Sequence, residues 1–324
     1  MFFCYRSYRH SRRKRQRLLT LALPVLAFLT LTLPFYIIYK PPQFVVSYLA
    51  HRYPDILWHV PNLKPGTQPI VALTVDDAPT RYTSRILDLL RENDAHATFF
   101  LIGDHIPGNE VLMRDAVNEG NELANHAMFD ERSKDRSDQE LEAQIQAVQS
   151  RIQRIYAMAG RQAEAHDEVK LDDIEQDSLF ASGAGVGPGS SSGSGQSSKQ
   201  SRGIENSEGQ GLSEVGESIP AVPGGPGRYF RPGSGVFSDR MRALVQRLGF
   251  RLVLGSVYPH DPQISVPWVN AAHVLSMVRP GSIIIVHDRR PWTVPMLSIV
   301  LPELKKRGYR VGTVSDLLKE GVAS

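Results

Sequence analysis

The sequence predicts an α/β fold, a parallel sheet or barrel, preceded by one transmembrane helix. Three observations carry this expectation. From about residue 69 onward, apolar runs of strand length alternate with amphipathic helical stretches. Several of these runs end on polar residues, as buried parallel strands do where a site opens at their carboxyl ends. Leu18 to Tyr39 is a 22-residue stretch without a charge, and about 20 such residues cross a bilayer core as a helix.

Residues 1–17 read as a basic cytosolic tail and 18–39 as a signal anchor. Arg12, Arg13, Lys14, Arg15 and Arg17 flank the near end of the apolar stretch, and Tyr36 and Tyr39 mark its far end. The positive-inside rule then puts the N-terminus in the cytosol. The run is long for a cleaved signal, and no small-x-small site follows it. The expected topology is a single-pass type II membrane protein whose large domain lies in the secretory lumen or outside the cell. A cleaved signal or an Arg-rich presequence is the alternative. Residues 40–67 hold several prolines and no clear period, and read as a stem.

The domain is expected over 68–320. A strand falls at about 69–76. Residues 83–93 give a helix with Ile86, Leu87, Leu89 and Leu90 inward. A strand over 96–102 and a helix over 110–119, closed by Gly120, follow. After a short strand at 121–126, Ser137-Asp138-Gln139-Glu140 is a capping-box pattern. It opens a long amphipathic helix, to about residue 158, on Leu141, Ile145, Val148, Ile152 and Ile155. Composition then breaks. Thirteen of the twenty residues in 181–200 are Gly or Ser, too few apolar groups to offset ordering entropy, so 162–226 reads as a disordered insertion within the domain. Order resumes at Arg228. Ser238 caps a helix on Met241, Leu244, Val245 and Leu248, strands fall at 250–256 and 281–287, and a helix near 294–307 and a strand at 309–314 close the pattern.

The formal net charge of +3 hides an asymmetry. Residues 1–40 hold eight of the 37 basic residues and no acid, so the remainder carries 29 basic against 34 acidic residues. That is no nucleic-acid footprint. The single cysteine, Cys4, lies in the tail, so the domain has no disulfide, and its length can bury a core without one. No Asn-x-Ser/Thr sequon occurs.

The chemistry-bearing residues sit at four predicted strand ends: Asp76 and Asp77, His126 with Asp130, Arg231, and His287. Two adjacent carboxylates at a strand end can both reach one mouth, one to bind a metal and one to act as a base. Alone, Asp76-Asp77 reads as a turn with two solvated acids. The ordered set resembles the polysaccharide deacetylase family, the NodB-type carbohydrate esterases that include chitin and peptidoglycan deacetylases. The resemblance runs from about Ile70 to Leu318. It is carried by Thr74-Val75-Asp76-Asp77-Ala78-Pro79, Ala97-Thr98-Phe99-Phe100, Asn125-His126-Ala127-Met128-Phe129-Asp130, Arg231-Pro232-Gly233-Ser234-Gly235 and Ile285-Val286-His287.

The resemblance implies a distorted (β/α) barrel and metal-dependent removal of N-acetyl groups from an N-acetylglucosamine polymer such as chitin. It implies Asp77, His126 and Asp130 as ligands of a divalent ion, Zn²⁺ by family and Mn²⁺ or Co²⁺ as alternatives. Asp76 would be the general base, His287 the general acid, and Arg231 the partner that orients Asp76. A backbone N–H near Ser234 would face the oxyanion, and Ile285 would line the acetyl pocket. The departures are specific. Asp130 stands where the family usually has a histidine, so ligation or a simple turn cap both remain open. Asp261 is the candidate that orients His287, without the usual neighbouring tryptophan. His260 is a sugar contact or a loop residue, Asp288 and Arg289 are substrate contacts or a solvated pair, and Trp268 and Trp292 are stacking surfaces or partial core. A non-catalytic carbohydrate-binding relative is the second reading. A glycosyltransferase is disfavoured, because Asp76-Asp77 lacks the Asp-x-Asp spacer and no Gly-rich phosphate turn precedes a helix, so no nucleotide is expected.

Overall fold

The structure, a computed structural model, describes residues 3–181 and 228–322. Residues 1–159 and 226–324 make one unit, and Gly160–Gly225 a second, of which only the helix running to Ala181 is described.

In chain order the first elements are α1 (Phe3–Tyr39), α2 (Gln43–Arg52), β1 (Ile56–Leu57), β2 (Ile70–Ala78), α3 (Thr83–Glu92) and β3 (Thr98–Leu101). They are followed by α4 (Glu110–Asn118), β4 (Glu122–Asn125), α5 (Asp138–Ala181), β5 (Tyr229–Phe230) and α6 (Asp239–Arg247). The last are β6 (Arg251–Val253), α7 (Pro267–Met277), β7 (Ile283–His287), α8 (Thr293–Lys306), β8 (Arg310–Gly312) and α9 (Val314–Glu320).

Among the described residues the strands form an eight-stranded sheet in the order β1-β6-β5-β4-β3-β2-β7, with β8 on β2. Every strand pair is parallel. The two ends of the sheet approach through isolated bridges, His59 with Ser282 and Val257 with Ile284. The result is a curled half-barrel with helices packed outside it. β2 is buried along its whole length, which explains why it reads as an unbroken apolar run. One core cluster packs Val71, Leu73 and Val75 of β2 against Ile86, Leu90 and Leu304 of the flanking helices. A second sits where Ile145 and Leu141 of α5 meet Met241 and Leu244 of α6.

Several local expectations appear as built. Ser137 and Glu140 exchange backbone bonds as a capping box at the head of α5, and Ser238 accepts from the Met241 N–H to cap α6. The apolar stretch is helical, and Ala22–Tyr39 is long and apolar enough to cross a membrane by length and composition. Two regions differ. The segment read as a stem folds onto the domain, because it contains α2 and because β1 pairs with β6. Helix α5 continues to Ala181 rather than ending near 158. The residues between Gln162 and Ala181 include Ala, Glu, Lys and Leu and no Gly or Pro, so propensity permits the extension. The remainder of the expected disordered insertion, 182–226, lies outside the described residues.

Candidate active site

The parallel register gathers the polar residues at one end of the sheet. Asp76 is the register partner of His287 across β2 and β7. Asn125 pairs with Phe230 across β4 and β5, so His126 and Arg231, the next residue of each chain, lie side by side. The turn that presents His126 is shaped by Asn125, which donates to the Ile145 carbonyl and accepts from the Ala127 N–H.

Arg231 is 2% exposed and lies over the Phe100 ring, with its guanidinium carbon 4.0 Å from the centroid. Its Nη1 donates to Asp76 Oδ1 at 2.5 Å and to Thr74 Oγ1 at 2.8 Å, and its Nε to the Val253 carbonyl at 3.1 Å. A buried guanidinium is costly unless paired, and Asp76 is the partner that offsets it. The same bond engages one carboxylate oxygen of Asp76, Oδ1.

Asp77 and His126 form the second buried pair. His126 Nε2 is 3.6 Å from Asp77 Oδ1. The other ring nitrogen, Nδ1, is 2.7 Å from the Arg231 carbonyl, which can only accept, so Nδ1 carries the proton. Burial alone would raise Asp77, yet the hydrogen bond and charge of His126 bring its carboxyl down to about 2. Burial likewise lowers His126, and the charges of Asp76 and Asp77 outweigh it and raise the imidazole. This donor pair suits a divalent cation. Nε2 points at the carboxylate, Nδ1 is anchored to a backbone carbonyl as in many metal-bound histidines, and 3.6 Å is close to the roughly 3.4 Å edge of a tetrahedron with bonds of about 2.1 Å.

Asp130 does not join this pair. It lies on an irregular bend, is 53% exposed on its side chain, and forms an ion pair with Arg289. No group of three His, Cys, Asp or Glu side chains suited to a metal ion converges among the described residues.

The third pair is Asp261 and His287. Asp261 is fully buried, accepts from the His287 backbone N–H at 2.8 Å, and lies 3.0 Å from His287 Nδ1. Burial lowers the imidazole, but the charge and hydrogen bond of Asp261, with Asp76 and Asp77 nearby, push it up to about 9. The tryptophan absent from the Asp261 segment arrives from elsewhere in the chain. Trp292, at the head of α8, donates its indole N–H to the Asp261 carbonyl at 2.8 Å. Sequence spacing gave no sign of this contact, which links positions 31 residues apart.

Other candidates fall into place around these pairs. Asp288 is not solvated: it is buried, accepts from the Thr80 N–H and the Thr83 hydroxyl, and is pushed up to about 6 chiefly by burial. It braces the turn after β2. His260 accepts aromatic contacts rather than facing open solvent, and Trp268 is 68% exposed on α7. His105, unremarked in the sequence, donates from Nδ1 to the Asp77 carbonyl at 3.0 Å. A cleft of about 520 Å³, lined in part by Thr80, Tyr82, His105 and Arg289, opens beside that contact. Among the described residues, four of the five non-glycine residues with positive φ belong to these turns: Asp77, Ala127, Ser234 and His260. Such conformations cost about 1–3 kcal/mol each and persist where the surroundings over-determine them. Gly233 is required for a different reason, since a Cβ there would sit 1.9 Å from the Glu131 carbonyl oxygen.

Comparison with known proteins gives a consistent identity for the domain. Residues 64–163 match the family model described as polysaccharide deacetylase. A peptidoglycan-N-acetylglucosamine deacetylase of Bacillus cereus is 29% identical over 274 residues, covering 82% of this chain and 93% of that protein. A chitooligosaccharide deacetylase of a Bradyrhizobium species is 27% identical over 264 residues, covering 76% and 90%. Among solved structures, peptidoglycan deacetylase PdaC from Bacillus subtilis superposes with a TM-score of 0.54 at 22% identity, over 79% of this chain and 93% of that one. A CE4 family pseudoenzyme from Bacillus anthracis gives a TM-score of 0.55 at 21% identity, over 83% and 70%. The fold is therefore shared by a protein named a deacetylase and one named a pseudoenzyme, and the chemistry must be argued from the side chains. Motifs, matched segment, relatives and fold agree: residues 64–163 match the polysaccharide deacetylase family, and the chain is similar along most of its length to deacetylases whose fold it shares.

Proposed function

We propose that this protein is a metal-dependent hydrolase that removes N-acetyl groups from an N-acetylglucosamine polymer. The observation that carries the reading is the facing of two prepared groups: Asp76, held by Arg231, and His287, held by Asp261, are register partners on adjacent strands. The names of the relatives support the bond class, and two of them act on peptidoglycan or chitooligosaccharides by name.

Asp77 and His126 would hold the divalent ion, Zn²⁺, Mn²⁺ or Co²⁺, which when bound supplies polarisation of the acetamide carbonyl and a more acidic water. Asp76 takes the proton of the attacking water, with its carboxylate oriented by the Arg231 bond to Oδ1. His287 is the acid. With its imidazole pushed up to about 9 it carries a proton at neutral pH and delivers it to the departing amine, while Asp261 stabilises the cation and fixes the ring. Asp130 would become a third ligand only by exchanging its Arg289 partner for the ion. That engagement is the one feature that favours the second reading, a carbohydrate-binding relative without catalysis. Helix α1 would anchor the domain in a bilayer with the N-terminus cytosolic, and the domain would work in the secretory lumen or at the cell surface.

The test is acetate release by the full chain in detergent micelles from chitin oligosaccharides and from peptidoglycan fragments. It is run with chelator, with Zn²⁺, Mn²⁺ or Co²⁺ restored, and beside Asp76→Asn. Metal-dependent release that falls at least about a hundred-fold in the variant is expected. Binding of the oligosaccharides without release by the folded, metal-loaded protein would support the non-catalytic reading instead.

A further inference from the structure

The end of the apolar helix does not stop clear of the domain. Tyr39, the last residue of α1, stacks on the His260 ring with centroids 4.9 Å apart and 21° between planes, and meets His273 of α7 edge-on at 4.7 Å. His260 Nε2 lies 2.9 Å from the Tyr39 carbonyl, which can only accept, so the imidazole donates to the helix end. His260 and His273 touch edge-on at 5.6 Å, and His273 is held neutral, down to about 4, chiefly by burial. On its other side, His260 packs edge-on against Tyr258 at 4.7 Å, and Tyr258 against His287 at 5.9 Å.

His260 is also the residue before Asp261, and it has φ 59. A non-glycine residue in that region needs outside support to stay there. Its ring is held by Tyr39 on one face, Tyr258 on another and His273 edge-on, while its carbonyl accepts from the Gln263 and Ile264 N–H groups. Asp261 in turn holds His287 through both its ring and its backbone N–H. Helix end and proposed acid are thus connected through consecutive contacts, although Tyr39 and His260 lie 221 positions apart.

We infer that Tyr39 is a positioning residue: the end of α1 is a strut that holds His260, and through it the Asp261–His287 pair, in working geometry. This rests on the assignment of His287 and Asp261 given above, and the strut itself has a readout that does not. In the anchored protein, the membrane helix is then part of the catalytic site's framework as well as its tether. Displacement of a reacting group by about 1 Å costs up to roughly a hundred-fold in rate, so a loosened loop should be visible in turnover.

The experiment compares the full chain in detergent micelles with Tyr39→Ala, Tyr39→Phe and His260→Asn. Asparagine tolerates positive φ, so the last variant removes the stacking and the bond to α1 while keeping the turn. The measurements are kcat and KM for chitin oligosaccharides, the thermal midpoint, and amide hydrogen exchange over 255–263 and at His287. The expected result is a fall in kcat of about ten-fold in Tyr39→Ala and His260→Asn, with KM changed less than about two-fold. Exchange at the loop and at His287 should rise, the thermal midpoint should stay near that of the parent, and Tyr39→Phe should restore both rate and protection. Parent-like rates and exchange in Tyr39→Ala and His260→Asn would overturn the strut. So would equal losses in Tyr39→Ala and Tyr39→Phe, or losses that simply track a lowered midpoint. If the parent itself releases no acetate, the deacetylase reading fails, while the exchange comparison still decides the strut.

Discussion

Two buried carboxylate sites occupy opposite ends of the same parallel sheet. At the carboxyl ends, Asp77 faces the His126 imidazole and is brought down to about 2. At the amino ends, Glu122 opens β4 and accepts from the Thr98 hydroxyl at 2.7 Å, the Ser315 N–H at 3.3 Å and the Ser315 hydroxyl. Tyr229, the first residue of β5, adds its hydroxyl to Ser315 at 3.0 Å. Burial is the leading influence on both carboxyls. At Glu122 the hydroxyl partners do not offset it, and the carboxyl is raised. At Asp77 an ionisable partner does. Burial with neutral partners makes a structural acid that ties β3, β4 and α9 together, whereas burial with a basic partner makes a charge poised for chemistry.

The most direct way to break the contrast is to remove a basic partner at the carboxyl ends, where Arg231 stands to Asp76 as His126 does to Asp77. Arg231→Met leaves Asp76 buried without its guanidinium, and the fold should lose about 3–5 kcal/mol in denaturant unfolding together with all acetate release. A variant as stable as the parent would show that the pair contributes little. His287→Asn should act on chemistry alone. A loss of about 10²–10⁴ in kcat is expected, with a much smaller change in unfolding midpoint. The pH dependence has a defined sign: His287 is protonated below about 9, so turnover that needs its proton is present at neutral pH and declines as pH rises through that value. An alkaline limb that survives unchanged in His287→Gln would assign it to another group.

The structural acid gives a subtler test. Glu122 keeps its proton in the fold over a range in which the unfolded chain has released it, so its contribution is full below the unfolded value and is lost as pH rises toward the folded one. Glu122→Gln should flatten that decline in a series of urea melts without altering kcat. A decline of undiminished slope would remove Glu122 as its source. The smallest effect lies away from both ends. Ser238→Ala deletes the cap of α6 and should cost about 1 kcal/mol of stability while leaving activity at the parent level.

Much of the strand framework was legible because a parallel strand buried on both faces is an unbroken apolar run, as in Ile70–Ala78 and Ile283–His287. The elements that went unread are the short and the uniformly apolar ones. Strand β1 has two residues and α9 has seven. Helix α7, PWVNAAHVLSM, is apolar on most sides and so shows little period. Of the site, the residues at strand ends could be picked from their position after such runs. Their partners could not. Arg289 and Asp130 are 159 positions apart, and Trp292 reaches a backbone carbonyl rather than a side chain. Side-chain pairing across the sheet's mouth is set by register and loop geometry, which no local spacing records.

The linkage between α1 and the sheet has a mechanical corollary. Lys40, Pro41 and Pro42 alone separate α1 from α2, and the next element is β1, a two-residue edge strand. In the proposed anchored enzyme, tension on a gripped polymer would enter the domain along this path and through the Tyr39 contacts with His260 and His273. Helix α2 and the Ile56–Leu57 pairing with Leu252 and Val253 meet that load before the long central strand does. On that reading the two-residue edge pairing would yield before the nine-residue strand β2 that carries Asp76 and Asp77.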